Sequence, residues 1–479
     1  MKKNEEILIS NSLVKKLKSK MKIPIECTIE TNNKGTVSWS RPIKSLKDKE
    51  DFQESILDLE RRNIVEESKS LWLNPVQLVR KKNGKLRFCI DLRRVNDLVD
   101  QDCFEIPRIQ ELLSSLHGKK LFTGIDLEDG FFQIPIKESD REKTTFYTGK
   151  RLMQFKRMPQ GFKNSPAIFQ RVMHLVLKDL IGTCCLVYID DILVFVKDRK
   201  EHDENLKKVL ERIEEYGLKE NTEKRAECQE RIKFLGYEIG HDEVKPSLNR
   251  AQGIIDYQIP KTKKELQRFL GMINYDRLFI KDLSSMLKPL YALTGKEAKF
   301  TMGKIEKDIF FKIKDQWSKN LSLIIPDPKK PFTLETDASN VGIGGVLRQE
   351  GKPVAYVSRI LNKAEQNYGI TEKETLAALW AMEKLQYLLL GNRFTLITDH
   401  FATEQIKSKI DFGSSRIQRW FHRFERFNFD IEYRKGETLV VSDALNRALY
   451  ISKDGVAKRV SKGDSIMEYH KKKESSKSY

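Results

Sequence analysis

Hydrophobic and polar residues alternate on both sides of Asn83-Gly84 in the stretch "VQLVRKKNGKLRFCIDLR". Two alternating segments joined by Asn-Gly are a strong hairpin signal, because both residues accept the left-handed backbone of a tight turn. In the second predicted strand, Lys85 and Arg87 lie on the polar face, opposite the apolar residues at 86, 88 and 90. The pattern therefore predicts a β-hairpin with a basic face.

The following stretch mixes short apolar strands with helices. A strand over 121–126 precedes "MPQGFKNSPAIFQRVMHLVL", in which Ser165 is predicted as the helix N-cap and Pro166 as the first helical residue. This helix is apolar almost all round, which predicts burial against a sheet. A second hairpin, "CCLVYIDDILVFVKD", comes next, and then a helix that ends at Gly217. Hairpins interleaved with helices predict an α+β fold, not an alternating parallel one.

The rest of the chain changes character twice. Residues 249–328 are mostly helical and basic, and "DPKKPF" at 327–332 is typical of a linker. Strand patterns return in "FTLETDASNVGIGGVLRQ" and "KPVAYVSR", before a long helix from Thr371, a strand from Arg393 and a last helix near Asp443. This order predicts a second, smaller α/β domain.

Composition narrows the class of protein. At 479 residues the chain exceeds one compact core, and a prior of about 100–200 residues per domain suggests roughly three domains. A formal charge of +19 favours a polyanionic partner, with nucleic acid first. The six cysteines show no C-x-x-C spacing, which favours free, buried thiols in a reducing compartment over a zinc site. No apolar run is long enough for a membrane span or a signal peptide.

Two aspartates, Asp190 and Asp191, stand side by side inside the apolar second hairpin. A plain turn is one explanation, since Asp tolerates turn geometry, but adjacent carboxylates repel unless a cation lies between them. A third acid, Asp126, ends the strand over 121–126, where a strand-end turn residue is the alternative. Three such carboxylates suit two divalent ions about 3.5–4 Å apart, for which Mg²⁺ is the natural choice.

Four more acids have a comparable placement towards the C-terminus. Asp337 and Asp399 end the strands "FTLET" and "FTLIT", Glu374 lies in the first turn of a helix, and Asp443 starts another helix. Each has a structural alternative, because Thr371 and Glu374 form the S/T-x-x-E pattern of a capping box and Asp443 is a good N-cap. Any one of them alone favours the structural interpretation.

Ordered sequence blocks carry a family resemblance. The blocks "KLRFCIDLRRVN", "DLEDGFFQIPI", "MPQGFKNSPAIFQ", "YIDDIL" and "FLGYEI" resemble the reverse transcriptase of gypsy-type LTR retrotransposons. The blocks "TDASNVGIGGVL", "AYVSRILNKAEQNYGITEKETLAAL" and "ITDH" resemble its ribonuclease H, which has a DEDD set of acids. The resemblance implies an α+β multidomain protein: a right-hand polymerase with fingers, palm and thumb, followed by an α/β ribonuclease H-like domain.

The resemblance also implies roles for individual residues. The acids that bind metal ions and carry catalysis are Asp126, Asp190, Asp191, Asp337, Glu374, Asp399 and Asp443. The residues that contact the incoming nucleotide are Lys85, Arg87, Phe131, Gln160 and Gly161. The residues that grip the primer end are Phe234, Leu235, Gly236 and Tyr237. Without the resemblance, the acids would be interpreted as turn and cap residues, and the nucleotide-contacting residues as ordinary surface or core side chains. The residues at the primer end would be interpreted as part of a β-strand.

Phe131 matches the family pattern, whereas two other features of the chain depart from it. Phe131 follows Asp126 by five residues, where the family has an aromatic steric gate against the ribonucleotide 2′ hydroxyl. "YDR" at 275–277 stands where a second aromatic is usual, which puts local packing in doubt. The histidine that aids product release in some ribonucleases H is absent near Asp443, which puts only that auxiliary role in doubt.

The predicted domains follow this reading. They are an N-terminal extension over 1–41, fingers and palm over 42–248, thumb and connection over 249–328, ribonuclease H over 329–449, and a basic tail over 450–479. The predicted enzyme copies RNA and then DNA into double-stranded DNA and cleaves the RNA strand of the hybrid. It would use two Mg²⁺ ions per site, with Mn²⁺ as a substitute.

The expected partners are an RNA template, a DNA primer, an RNA–DNA hybrid and deoxynucleoside triphosphates, with no membrane and with a monomer or dimer on the substrate. The expected location is intracellular, in a cytoplasmic retrotransposon particle or the nucleus. One alternative is a domesticated, non-catalytic nucleic-acid-binding protein, which would be expected to have lost some of the seven acids. The other is a pararetroviral reverse transcriptase, which has the same chemistry.

Overall fold

The computed structural model describes residues 23, 25–32, 35–40, 46–80, 86–319, 321–399, 415–434, 450–451 and 457–458. These residues fall into two compact units, one within 1–115 and 119–235 and the other within 116–118 and 236–479. Within the described ranges, no helix is both long enough and apolar enough to cross a membrane. The six cysteines are free thiols, but only Cys27, Cys184 and Cys185 are buried, while Cys103 is exposed.

The first unit combines small antiparallel sheets with helices. Its helices are α1 (Leu46–Arg61), α2 (Arg93–Leu98), α3 (Ile109–Ser114), α4 (Ser165–Val176) and α5 (Arg199–Glu215). Its strands are β1 (Val65–Glu67), β2 (Val76–Arg80), β3 (Leu86–Ile90), β4 (Leu121–Asp126), β5 (Phe146–Tyr147), β6 (Leu152–Phe155), β7 (Cys185–Tyr188), β8 (Asp191–Val196), β9 (Ala226–Gln229) and β10 (Ile232–Phe234). Strands β2 and β3 pair antiparallel, which confirms the predicted first hairpin, although its Asn83-Gly84 turn lies outside the described residues.

The central sheet of this unit has the strand order β7-β8-β4-β9. Strands β7 and β8 are almost entirely buried, and one face of β7, β8 and β4 shares a core with the inner faces of α4 and α5. The strand residues on that face are Ile125, Cys185, Val187, Ile192 and Val194. Helix α4 packs against the sheet as predicted, but its outer side is open to solvent, with Leu175 43% exposed. Its N-cap is Asn164 and not Ser165, whose hydroxyl instead donates to the carbonyl of Pro159 at 3.2 Å. The helix therefore begins one residue earlier than predicted.

The second unit has mainly helices first and a five-stranded sheet afterwards. Its helices are α6 (Leu248–Ile255), α7 (Lys263–Tyr275), α8 (Leu283–Ala292), α9 (Lys304–Ser318), α10 (Lys363–Gln366), α11 (Ile370–Lys384), α12 (Gln386–Leu389) and α13 (Ser415–Phe424). Its strands are β11 (Tyr237–Gly240), β12 (Glu243–Pro246), β13 (Leu323–Ile324), β14 (Phe332–Ala338), β15 (Gly342–Gln349), β16 (Lys352–Ile360), β17 (Arg393–Thr398), β18 (Asn428–Tyr433), β19 (Tyr450–Ile451) and β20 (Ala457–Lys458).

The five-stranded sheet has the order β16-β15-β14-β17-β18. Strands β14, β15 and β16 are antiparallel neighbours, whereas β14–β17 and β17–β18 are parallel pairs. Helix α11 lies against this sheet so closely that a Cβ at Gly345 would be 3.4 Å from the Cβ of Ala381. A glycine at this point of β15 allows the close contact. The sheet and helix form the α/β domain that the sequence predicted.

Candidate active sites

The hairpin of β7 and β8 presents the two adjacent aspartates. Ile189 and Asp190 form its turn, and Asp191 is the first residue of β8. In the antiparallel ladder between β4 and β8, Asp126 is the direct partner of Asp191. Directly opposed residues of an antiparallel pair have side chains about 4.5–5.5 Å apart at Cβ. The sheet register therefore places Asp126 opposite Asp191, and Asp190 precedes Asp191 in the turn.

The turn has a strained backbone that a buried amide holds. Ile189 has a φ of +57°, a left-handed conformation that β-branched residues rarely adopt. Its N–H donates to Oε1 of Gln170 at 2.6 Å, and Nε2 of Gln170 donates to the carbonyl of Val187 at 3.3 Å. Gln170 is fully buried. Sequence analysis missed this residue, whose signal is an amide directly after the apolar run "PAIF" of α4.

Electrostatics at the palm acids reflects crowding and partial burial. Burial raises the pKa of Asp191 to about 6, and the neighbouring charges of Asp190 and Asp126 act in the same direction. The pKa of Asp190 is also raised, first by burial. Lys224 provides the opposing charge, since its Nζ lies 2.6 Å from Oδ2 of Asp126. The lysine was not anticipated, because it follows β4 by many residues and only the fold brings it to the acids.

The segment after Asp126 lies beside the turn that carries Asp190. A Cβ at Gly130 would be 3.3 Å from the Cβ of Asp190 and 3.1 Å from the ring of Phe169, so only glycine fits there without displacement. Phe131, the next residue, is half-buried and packs edge-to-face on Phe169 with ring centroids 5.6 Å apart. Phe131 therefore lies near the acids. Its assignment as a gate stays a prediction.

The other predicted nucleotide contacts are only partly described. Gln160 is half-buried, and Gly161 has a φ of +98° with its carbonyl accepting from Nδ2 of Asn96 at 2.9 Å. A Cβ at Gly161 would lie 3.2 Å from the carbonyl oxygen of Ile90, so glycine is needed for both backbone and space. Lys85 lies outside the described residues, and for Arg87 only the backbone in β3 is described.

The segment from Phe234 to Tyr237 is a turn and not the continuous strand that its composition suggests. Phe234 ends β10 and Tyr237 begins β11. Between them Leu235 has a φ of +48° and Gly236 a φ of +76°. Two consecutive left-handed residues reverse the chain direction, as in a type I′ hairpin turn. A bulky apolar residue in the first of these positions concealed the turn from sequence analysis.

The second acid set is more compact. Asp337, Glu374 and Asp399 are, among the described residues, the only group of three or more Asp, Glu, His or Cys whose ligand atoms all lie within 4.8 Å of one another. Because β14 and β17 are parallel neighbours, Asp337 and Asp399 leave the sheet at the same edge. Helix α11 adds Glu374 from its first turns. Asp443, the predicted fourth member, lies outside the described residues.

Glu374 is not a helix cap, which was its structural alternative. Helix α11 begins at Ile370, and the carboxylate that accepts from the N–H of Gly369, at 3.2 Å, belongs to Glu372. Arg416 of α13 also holds Glu372, with Nη1 and Oε1 2.7 Å apart. Thus the neighbouring glutamate fulfils the capping role, and Glu374 is turned towards the other acids.

The buried acids have the chemistry of a divalent cation site. Burial, aided by the charges of Asp337 and Asp399, raises the pKa of Glu374 to about 9. Its Oε2 atom is buried and has no hydrogen-bond partner among the described residues. A buried carboxylate oxygen without a partner is costly, and a hard cation with oxygen ligands removes that cost. The residues present therefore fit a bound divalent ion.

Comparisons with known proteins agree with this geometry. Residues 79–239 match the family described as reverse transcriptase (RNA-dependent DNA polymerase), and residues 327–427 match the RNase H-like domain found in reverse transcriptase. The chain belongs to the reverse transcriptases. The palm acids of this reverse transcriptase lie in the first matched range, and Asp337, Glu374 and Asp399 lie in the second.

The reverse transcriptase is similar to Pol polyproteins of gypsy-type elements. It is 36% identical over 447 residues to that of transposon opus of Drosophila melanogaster, covering 88% of this chain and 44% of the relative. It is 33% identical to that of transposon gypsy of the same species, covering 88% and 43%. It is 31% identical to the transposon Tf2-3 polyprotein of Schizosaccharomyces pombe, covering 81% and 30%. The chain therefore spans less than half the length of these curated relatives.

Solved structures support the same fold. A foamy viral protease-reverse transcriptase in complex with double-stranded DNA has a TM-score of 0.74 and 25% identity, covering 88% of both chains. A second structure of that kind, of the form designated dRH, has a TM-score of 0.77 and 25% identity, covering 87% of this chain and 75% of the other. The right-hand polymerase architecture and the following RNase H-like domain predicted from the sequence are thus confirmed.

Proposed function

We propose that this reverse transcriptase extends a DNA primer on RNA and DNA templates with deoxynucleoside triphosphates, and cleaves the RNA strand of the resulting hybrid. The observation that carries the proposal is the pair of separate acid sites. The β4–β8 register opposes Asp126 and Asp191, and the second unit gathers Asp337, Glu374 and Asp399 within 4.8 Å. The non-catalytic alternative is disfavoured, because it gives no reason for two such sets.

The acids are proposed to act by binding Mg²⁺, with Mn²⁺ as a substitute. Two such ions activate the attacking oxygen and neutralise charge at the phosphorus in an in-line displacement. In the palm, Asp126, Asp190 and Asp191 would hold the ions beside the primer 3′ hydroxyl. Because Asp126 accepts from Lys224 in the structure described here, a cation that uses Asp126 shares that carboxylate with Lys224 or displaces it.

In the nuclease-like site, Asp337, Glu374 and Asp399 would hold the ions that activate water against the RNA strand. The arrangement favours the ionised form of Glu374 only when a cation is present, since its pKa in the metal-free site is about 9. Asp443 is proposed as a fourth ligand by the resemblance alone. Because Asp337 and Glu374 are buried, ions held there would be partly shielded from bulk water, which would strengthen their interaction with a phosphate.

Nucleic acid is proposed as the substrate because of the positive charge of the chain and its similarity to the foamy viral structures. The formal charge of +19 favours a polyanion, and the foamy viral proteins of similar fold were solved with double-stranded DNA. Affinity for a primer–template should then fall steeply with salt, with a slope of roughly −0.9 per neutralised phosphate on a log–log plot.

We propose that the protein acts inside the cell, in a cytoplasmic particle or the nucleus. Fractionation of expressing cells tests this location.

Primer extension and hybrid cleavage test the proposal directly. The purified chain should extend a DNA primer on an RNA template and cleave a pre-formed RNA–DNA hybrid when Mg²⁺ is supplied. Chelation with EDTA should stop both reactions, and Mn²⁺ should restore them. A protein that binds primer–template with a strong salt dependence but performs neither reaction would favour the domesticated binding protein instead.

A further inference from the structure

The turn at Leu235 and Gly236 rests on an arginine from the first helix of the second unit. A Cβ at Gly236 would overlap Nη2 of Arg250 and lie 2.9 Å from its Cζ. The carbonyl of Gly236 accepts from the N–H of Ser247 at 3.2 Å, one turn before Arg250 in the chain. The guanidinium therefore fills the space that a side chain at position 236 would need.

Arg250 is fixed from the remaining sides. Its guanidinium lies over the ring of Tyr275 at 3.8 Å and at 5.4 Å from the centre of the Tyr237 ring. Nη1 pairs with Oδ1 of Asp276 at 2.9 Å, and the Tyr237 hydroxyl donates to the carbonyl of Tyr275 at 3.1 Å. The arginine is thus held by two aromatic rings and one carboxylate, while Nη2 lies against Gly236.

Asp276 has no access to solvent and is the anchor of this arrangement. It is 0% exposed, and Arg250 is its ion-pair partner. Burial raises the pKa of Asp276, and Arg250 opposes that rise. Buried ion pairs are weak contributors to stability, since apolar replacements of similar volume are often neutral or stabilising. The pair instead fixes one geometry, and what it fixes here is the position of Arg250 against Gly236.

We propose that Arg250, anchored by Asp276, is a positioning residue for the primer terminus. It acts through the turn of Leu235 and Gly236 and does not itself touch the reacting atoms. This inference rests on the proposed polymerase function and on the role of residues 234–237 at the primer end. A turn held in this way keeps the primer 3′ hydroxyl in line, and a displacement of about 1 Å can cost about 100-fold in rate.

The first test separates positioning from binding and folding. We expect Arg250→Ala to lower the single-turnover rate of nucleotide addition by about 10- to 100-fold, with the primer–template Kd changed less than about threefold. Hybrid cleavage by the same protein should stay within about twofold of wild type, which confirms folding. Arg250→Lys keeps a charge for Asp276 but loses the planar contact, so it should recover part of the rate.

A double-mutant cycle tests the contact itself. Gly236→Ala should be damaging in the wild-type background, because the new Cβ meets the guanidinium and the backbone is left-handed. In the Arg250→Ala background only the backbone strain remains, so the same change should cost at least about fivefold less in addition rate. Asp315→Asn, in α9, is the control. It removes an ion pair with Lys319 in which both side chains are more than half exposed.

The possible outcomes are distinct. Additive effects of the two changes, or equal losses of nucleotide addition and hybrid cleavage in Arg250→Ala and Arg250→Lys, would overturn the positioning role. A fluorescent base analogue at the primer 3′ end should also report a changed environment in Arg250→Ala and none in Asp315→Asn. A wild-type protein that extends no primer would overturn the polymerase proposal itself, whereas an active wild type with additive variants overturns only the role of Arg250.

Discussion

Asp126, Asp190 and Asp191 in the palm are all partly exposed, whereas Asp337 and Glu374 in the nuclease-like site are 3% and 6% exposed. The palm acids lie at a hairpin turn and have a lysine ammonium 2.6 Å from one of them. The nuclease-like acids converge from two parallel strands and a helix, and Glu374 has a pKa of about 9. The two proposed metal sites therefore lie in different electrostatic environments.

The difference shows two ways in which the repulsion between neighbouring carboxylates can be reduced. In the palm, solvent and the exposed ammonium of Lys224 screen the carboxylates, so their mutual repulsion is partly neutralised. In the nuclease-like site, Asp337 and Glu374 are buried, and the raised pKa of Glu374 favours its neutral form, which reduces the repulsion between the acids. We expect the palm to tolerate loss of metal with little change in stability, and the buried site to depend on pH.

The largest effect should come from removing one acid at each site. Asp190→Asn should abolish primer extension, by about 10³-fold or more, and spare hybrid cleavage, because the two acid sets lie in different units. Asp399→Asn should do the reverse. The measurement is extension and cleavage by each purified variant, with circular dichroism as the folding control. Loss of both activities in a folded Asp190→Asn protein would contradict two independent sites.

The next effect concerns the sugar of the incoming nucleotide and should occur only at the palm. Phe131→Ala should keep a metal-dependent enzyme but raise ribonucleotide use by about 10- to 100-fold, because the ring no longer collides with a 2′ hydroxyl. The measurement is the ratio of kcat/KM for a deoxy- and a ribonucleotide. An unchanged ratio in an active mutant would mean that Phe131 is only a packing partner of Phe169.

A smaller effect should follow from releasing the strained turn. Gln170→Leu preserves side-chain volume but removes the acceptor for the Ile189 N–H and the donor to the Val187 carbonyl. We expect nucleotide addition to fall about tenfold and hybrid cleavage to stay unchanged, since the displaced turn carries only palm acids. Gln229→Leu, at an exposed position of β9, is the matched control. Equal behaviour of the two variants would show that the turn does not need the amide.

The smallest effect is on stability and tests the buried site alone. The folded pKa of Glu374, about 9, lies above its ordinary value, so its contribution is fully present at low pH and is lost as pH rises towards 9. In EDTA, Glu374→Gln should therefore be more stable than wild type by about 2 kcal/mol at pH 8, with the gap closing towards pH 4.5. Thermal unfolding measures it, and excess Mg²⁺ should reverse the order.

Glu425→Gln, more than half exposed, is the control for that experiment and should show no dependence of this kind. A constant difference between Glu374→Gln and wild type at all pH values would mean that Glu374 is ionised in the metal-free protein. The carboxylates of both sites would then be ionised without a metal ion, and the two sites would not differ in protonation.

Local patterns were sufficient where one segment determines its own structure. The alternation around Asn83-Gly84 and the apolar runs beside Asp190 predicted both hairpins, and their strands form as expected. Asp126, Asp337 and Asp399 could be identified from the sequence because each lies at the end of a predicted strand. The capping pattern was misleading, since Thr371 and Glu374 matched it, whereas the N-cap is Gly369 and the glutamate that bonds back to it is Glu372.

Contacts between distant segments were beyond local patterns. Gln170 is 19 residues from Ile189, and Lys224 is 98 residues from Asp126, so neither pairing has a spacing rule. The departure "YDR" is similar, because the buried Asp276 is paired with Arg250, 26 residues away in the sequence. Such pairs depend on tertiary packing, which a single sequence does not encode by periodicity. The turn at Leu235 was missed for a different reason, its non-glycine residue at a positive φ.

The parallel pairing of β14 with β17 has a consequence for how the chain can vary in length. The ladder from Phe332–Phe394 to Glu335–Ile397 fixes the relative height of Asp337 and Asp399. Extra residues in the turn at Glu350 and Gly351 leave that height unchanged, since they lie outside the ladder. One residue inserted within β17 would invert the face of every side chain after it and remove Asp399 from its partners. Insertion of single residues across 339–399 should therefore be tolerated at the hairpin tip and not tolerated within β17.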